Sequence, residues 1–129
     1  MQRRDIFDGT EATAAYARAV QVGPDIHVAG TTSADASGEA VGDDLYAQTK
    51  ETYAKIQRVL EMADAGMRDV VRVVAYVTDI TEPDGFNQAT IEAFDDTGFR
   101  PAATLVEVSA LFKPEMLVEI EAYAVVSDN

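Results

Sequence analysis

The stretch Leu117 to Val126 (LVEIEAYAVV) constrains this chain more than any other. Its residues alternate as a β-strand does, and successive side chains on a strand point to opposite faces. Val118, Ile120, Ala122 and Ala124 form one apolar face. Glu119 and Glu121 share the other with Leu117, Tyr123 and Val125. A carboxylate is costly on a face that also holds Leu, Tyr and Val. That face is therefore either a wet edge or the lining of a partly buried site. Upstream, Thr104 to Val108 reads as a second strand, with Leu111 to Glu115 as the turn, so the last quarter of the chain reads as a hairpin.

The rest of the chain alternates strand and helix patterns. Residues 1 to 14 show little periodicity and read as a lead-in. Tyr16 to Val22 and Ile26 to Gly30 read as two strands joined at Gly23-Pro24-Asp25, a composition that favours a turn. Thr31 to Gly42 reads as a loop with a short strand near Glu39 to Val41. Asp43 or Asp44 is the expected N-cap of a helix running to about Ala65, with Gly66 as its C′ residue. Leu45, Thr49, Thr52, Ile56, Val59, Leu60 and Ala63 fall on one face of that helix. Arg72 to Thr78 is a β-branched strand. A second helix opens near Pro83 and ends near Phe94, burying Phe86, Ala89, Thr90, Ala93 and Phe94.

This order predicts an α+β fold: one mixed sheet with two helices packed on it. At 129 residues it is one domain, 1–129. The strands near 70–77 and 117–126 look apolar on both faces, and two helices cover only one. A second copy of the chain is the natural cover for the other.

Composition narrows the partners. The net charge of −13 repels phosphate backbones, which predicts no nucleic-acid partner. An acidic, lysine-poor surface of this kind suits a high-salt environment. No apolar run is long enough to span a bilayer, and the N-terminus lacks the apolar core of a signal peptide. With no cysteine and one histidine, His27, no zinc site is expected. The expectation is a cytoplasmic protein without membrane contact, metal or cofactor. His27, alone in a strand, reads as a packing residue.

Several segments carry a resemblance: YARAVQVGPDIHVAG, VLEMADAGMRDVVRVVAYVTDI, FNQATIEAF, RPAATLVEVSAL and LVEIEAYA. Together they resemble the Rid family (RidA-like or YjgF-like reactive-intermediate deaminases) from Tyr16 to Ala124. The resemblance implies a chorismate-mutase-like fold assembled as a homotrimer, with sheets forming a central barrel and small-molecule clefts between subunits. It also implies hydrolysis of enamines and imines to keto compounds and ammonia.

Site residues follow from the resemblance position by position. Glu121 matches the carboxylate that orients the hydrolytic water. Tyr16 matches a tyrosine reaching into the neighbouring subunit's site. Gly30 and Thr31 match a segment whose backbone faces the ligand. Asn87 matches an asparagine beside the cleft. Leu105 stands where cysteine is frequent. The departure is at Arg100-Pro101-Ala102-Ala103, where Ala103 replaces the arginine that clamps a substrate carboxylate. Arg100 lies three positions earlier and, on a strand, would face away from Ala103, so it reads as structural. Packing roles for Tyr16, Asn87 and Glu121 stay open at this stage. The expected function is a divergent imine or enamine hydrolase that does not act on standard 2-imino acids. The alternatives are a non-catalytic small-molecule-binding trimer and a protein-interaction trimer.

Overall fold

A computed structural model describes residues 2–9 and 15–127. They form a six-stranded sheet in the order β1-β2-β3-β6-β4-β5, with two helices packed on one face. The strands are β1 (Arg3–Ile6), β2 (Ala19–Val22), β3 (Asp25–Thr31), β4 (Val70–Val77), β5 (Ala102–Glu107) and β6 (Val118–Val125). The helices are α1 (Leu45–Met62) and α2 (Asp84–Phe94).

Strand β6 lies at the centre, paired antiparallel with both β3 and β4. Val118, Ile120 and Ala122 are fully buried beneath the helices, as their alternation requires. Facing them from α1 are Thr49, Thr52, Ile56, Val59 and Leu60, joined by Gln48 and Tyr53. Gln48 is a buried polar side chain with every strong partner in place: its amide donates to Gly42 O and Glu115 O and accepts from Leu117 N. It ties the loop ahead of α1 to the start of β6. Helix α2 buries Phe86, Ala89 and Phe94.

Four expectations need correction. First, β5 and β6 are not a hairpin. Strand β5 pairs parallel with β4, and β4 lies between it and β6. Parallel neighbours need a crossover, and α2 supplies it between β4 and β5. Second, the lead-in contains β1, which pairs with β2 at the sheet edge. Its sequence RRDI buries only Ile6, so no hydrophobic alternation announces it. Third, the strand expected from Tyr16 starts at Ala19, and the short strand near Glu39 is a single bridge, Ala34 to Ala40. Fourth, α1 stops at Met62 rather than near Ala65. Asp64 takes the left-handed conformation at φ 56°, and Gly66 is extended and opens a short 3-10 turn. Asp44 is the N-cap, its carboxylate accepting from Ala47 N at 2.8 Å.

The second sheet face has no helix over it. His27 (β3), Arg72, Val74 and Tyr76 (β4), and Glu119, Glu121 and Tyr123 (β6) lie there with intermediate or full exposure.

Candidate functional site: two half-sites on opposite faces of the sheet

Glu121 is fixed by two phenols. Tyr76, on the neighbouring strand β4, donates its hydroxyl to Oε1, and Tyr123 donates to Oε2 at 2.7 Å. Both oxygens therefore accept a hydrogen bond, the arrangement an ionised carboxylate makes. The bond to Glu121 is the main cause that raises both tyrosines above their ordinary range. The Tyr123 ring stands edge-on to His27 at 5.5 Å, and His27 is exposed on the same open face rather than packed inside. Glu121, Tyr123, His27 and Tyr16 line one depression of about 690 Å³.

Glu119, two residues earlier on the same face, has a different environment. It lies over Gly30, where an added Cβ would overlap its carboxylate. It makes no hydrogen bond or ion pair to another described residue. Burial, and then the charge of Glu121, raise it above the ordinary carboxylate range, with Arg18 opposing. Glu119 lines a second depression, of about 400 Å³, with Tyr16, Arg18, Gly30, Lys55 and Lys113.

The cations there hold the backbone. The Arg18 guanidinium donates to Gly30 O at 3.2 Å and to Thr31 Oγ1 at 2.8 Å, with the Tyr16 ring 5.8 Å away. Lys55 Nζ donates to Thr32 O and Ala34 O at 2.7 Å each, and burial lowers its pKa. Lys113 Nζ donates to Gly38 O at 2.9 Å. Thr31 is thus a buried link between Arg18 and Ala29 O, with its side chain turned inward.

A third depression, about 620 Å³, lies between α2 and the start of β5. Phe86, Ile91, Phe94 and Phe99 give it an apolar lining, and Asn87, Arg100 and Ala103 border it. This corrects the expectation for Arg100. The strand begins only at Ala102, after Gly98 turns the chain at φ 75°, so strand alternation does not reach Arg100. Arg100 and Ala103 border the same groove. Arg100 is exposed and makes no hydrogen bond or ion pair to another described residue. Leu105, by contrast, is half-buried against the core.

These residues fall on two faces. Parallel pairing sets Ala103 beside Val73 and Leu105 beside Ala75, both on the helix-covered face. Glu119, Glu121 and Tyr123 are on the open face. Within one chain the sheet separates the Ala103–Asn87 groove from Glu121. Sequence reasoning missed Tyr76 and Arg18. Tyr76 is placed only by the register of β4 on β6, which sets it directly opposite Glu119 and diagonal to Glu121 and which periodicity does not reveal. Arg18 had no sequence signal, because its role depends on the irregular pairing between Val28 and Thr31. Among the described residues, no group of three His, Cys, Asp or Glu side chains is placed to hold a metal. No helix is long and apolar enough to cross a membrane.

Comparison with known proteins fixes the class. Residues 8–126 match the family model described as Endoribonuclease L-PSP. A RutC family protein of Pyrococcus abyssi is 39% identical over 110 residues, covering 84% of each chain. A 2-iminobutanoate/2-iminopropanoate deaminase of Salmonella typhimurium is 31% identical over 112 residues, covering 85% of this chain and 86% of that one. Among solved structures, Rv2704 of Mycobacterium tuberculosis, a member of the YjgF/YER057c/UK114 family, superposes with a TM-score of 0.85. It is 40% identical and covers 97% of this chain and 100% of its own. The fold and these relatives together show that this chain belongs to the YjgF/RidA (Rid) family.

Proposed function

We propose that the chain assembles as a homotrimer and is a divergent imine or enamine hydrolase, acting on a small molecule in clefts between subunits. The observation that carries this reading is the separation of the two half-sites. The Asn87–Ala103 groove and the Glu121 carboxylate are on opposite faces of one sheet, so a ligand that meets both must lie between two copies. Glu121 orients the attacking water. Asn87 and the apolar groove wall hold the rest of the ligand, and Tyr16, Gly30, Thr31 and Leu105 complete or brace the cleft. Support for imine chemistry comes from the deaminase named among the relatives. The −13 charge argues against RNA as substrate.

In this reading position 103 offers no clamp for a 2-imino carboxylate, and Arg100 is the one cation bordering the groove among the described residues. The test is a coupled assay in which an amino-acid oxidase generates the imine and semicarbazide traps what escapes. The native protein is expected to clear imines with uncharged or amine-bearing side chains and to clear 2-imino acids poorly. Ala103→Arg is expected to speed clearance of 2-imino acids by about one to two orders of magnitude, the strength of a charge-assisted pair. Arg100→Ala is expected to remove the residual clearance of acids and leave that of uncharged imines within a few-fold. Failure of the native protein on every imine tested would reject the hydrolase reading.

A further inference from the structure

Four large apolar side chains face the groove between α2 and the start of β5, and two of them are open to solvent. Phe86 and Phe94 belong to the buried core. Ile91 and Phe99 are 52% and 57% exposed. The Phe94 ring already stands edge-on to Tyr53 at 5.5 Å, whereas Phe99 has no ring partner among the described residues. The backbone of Phe99 is nonetheless held. Thr97 Oγ1 accepts from Phe99 N at 3.0 Å and donates to Phe94 O at 2.7 Å, and Gly98 turns the chain at φ 75°. A fixed turn thus presents an unpaired ring to the groove. Asp95 and Arg100 border it with one charge of each sign, and neither forms an ion pair with a described residue. The rim therefore selects strongly for neither an anion nor a cation. Ala103 adds a single methyl to the lining, and the space of about 620 Å³ is that of a small-molecule pocket.

We propose that the groove holds the aryl end of the ligand, that the imines hydrolysed are aryl-alkyl imines without a carboxylate, and that Phe99 is a specificity-determining residue. This rests on the hydrolase reading above and names its substrate class. Aromatic rings gain from offset or edge-to-face contact beyond the area they bury. A guest ring against Phe99 and Ile91 removes from water the apolar surface that the chain itself leaves wet. A short alkyl imine leaves that surface exposed, and a charged side chain gains nothing from it. The Asn87 amide is free to bond the guest, because it makes no hydrogen bond to another described residue, and it offers both a donor and an acceptor. With the ring in the groove, the C=N end points out of it into the shared cleft. The reaction is the same for any substituent. One imine and one water give one ketone and one ammonia: the water oxygen becomes the carbonyl oxygen, the C–N bond breaks, and both water protons leave on nitrogen.

The test pairs binding with kinetics on the full-length assembled protein. The binding probes are two ketones, benzylacetone and butanone, which differ only by a phenyl group. Calorimetric titration is expected to show benzylacetone binding at least about tenfold more tightly than butanone. Phe99→Ala is expected to bring the two within about threefold of each other, and Phe99→Tyr to restore the gap. The imines of the same ketones, generated from their primary amines by an amine oxidase and trapped with semicarbazide, are expected to show the same ratio in kcat/KM, carried by KM. Sedimentation and thermal unfolding of Phe99→Ala check that it folds and assembles as the native protein does. Equal affinity for the two ketones, or a preference that survives Phe99→Ala, would overturn the proposal. So would loss of assembly in Phe99→Ala, which would make packing between copies the role of the ring. If benzylacetone binds through Phe99 and no imine is cleared, the hydrolase reading falls and the aryl ligand stands. If imines are cleared without preference for the ring, the hydrolase reading stands and this proposal falls.

Discussion

Replacing Glu121 with glutamine is expected to lower imine hydrolysis by about 10²- to 10⁴-fold, the usual contribution of a positioned acid–base group. The substitution preserves shape and removes both the charge and one of the two acceptors. Only the amide oxygen can accept, so one of Tyr76 and Tyr123 loses its acceptor and must turn its hydroxyl away to accept from the amide NH₂. Water in the cleft then has no anion to receive its proton. The protein should still fold, because Glu121 lies on the open face and the apolar side of β6 is untouched. The coupled imine assay and thermal unfolding, run on the same preparation, separate loss of chemistry from loss of structure. Activity within a few-fold of native would remove Glu121 from the mechanism.

Leu60→Ala is expected to destabilise the fold by about 2–5 kcal/mol. Leu60 is fully buried on α1, in the same core cluster as Ile120, Val73 and Ala75 of the sheet. Truncation loses the transfer energy of the removed carbons. It also leaves a cavity that the rigid sheet beneath cannot collapse to fill. Denaturant unfolding at fixed protein concentration measures it, the concentration being fixed because assembly would add to apparent stability. A loss below about 1 kcal/mol would mean that the helix–sheet core is looser than close packing allows.

The sequence made the helix-covered half of the molecule readable. Val118, Ile120, Ala122 and Ala124 alternate cleanly, and Thr49, Thr52, Ile56, Val59 and Leu60 recur at helical spacing. Burial imposes those patterns, so they can be read back. Strand order was less legible, because periodicity reports which way a residue faces and nothing about which strand it pairs with. Strand β5 therefore read as β6's hairpin partner although β4 separates them. Strand β1 was invisible because an edge strand with three exposed residues carries no burial signal. The end of α1 was misplaced because Gly66 satisfied the rule for a helix C-terminus, while Asp64 adopted the left-handed turn.

The site divides in the same way. Glu119 and Glu121 stood out at once as carboxylates on a mixed strand face. The phenols that hold Glu121 did not, since one comes from a strand far away in sequence. Arg100 was misread by applying strand alternation to a residue that precedes the strand. Position 103 was informative only through the family resemblance, because an alanine carries no chemistry that spacing or composition could reveal.

The central claim is that each cleft takes its groove from one copy of the chain and its carboxylate from another. Co-expressing Ala103→Trp, which fills the groove, with Glu121→Gln, which removes the carboxylate, tests this directly. Each variant alone is expected to form inactive assemblies. In mixed assemblies, clefts that pair an intact groove with an intact Glu121 regain function, so random mixing predicts roughly a quarter of the native imine-hydrolysis rate. A mixed preparation as inactive as either variant alone, under conditions where native protein turns over, would contradict a cleft shared between chains.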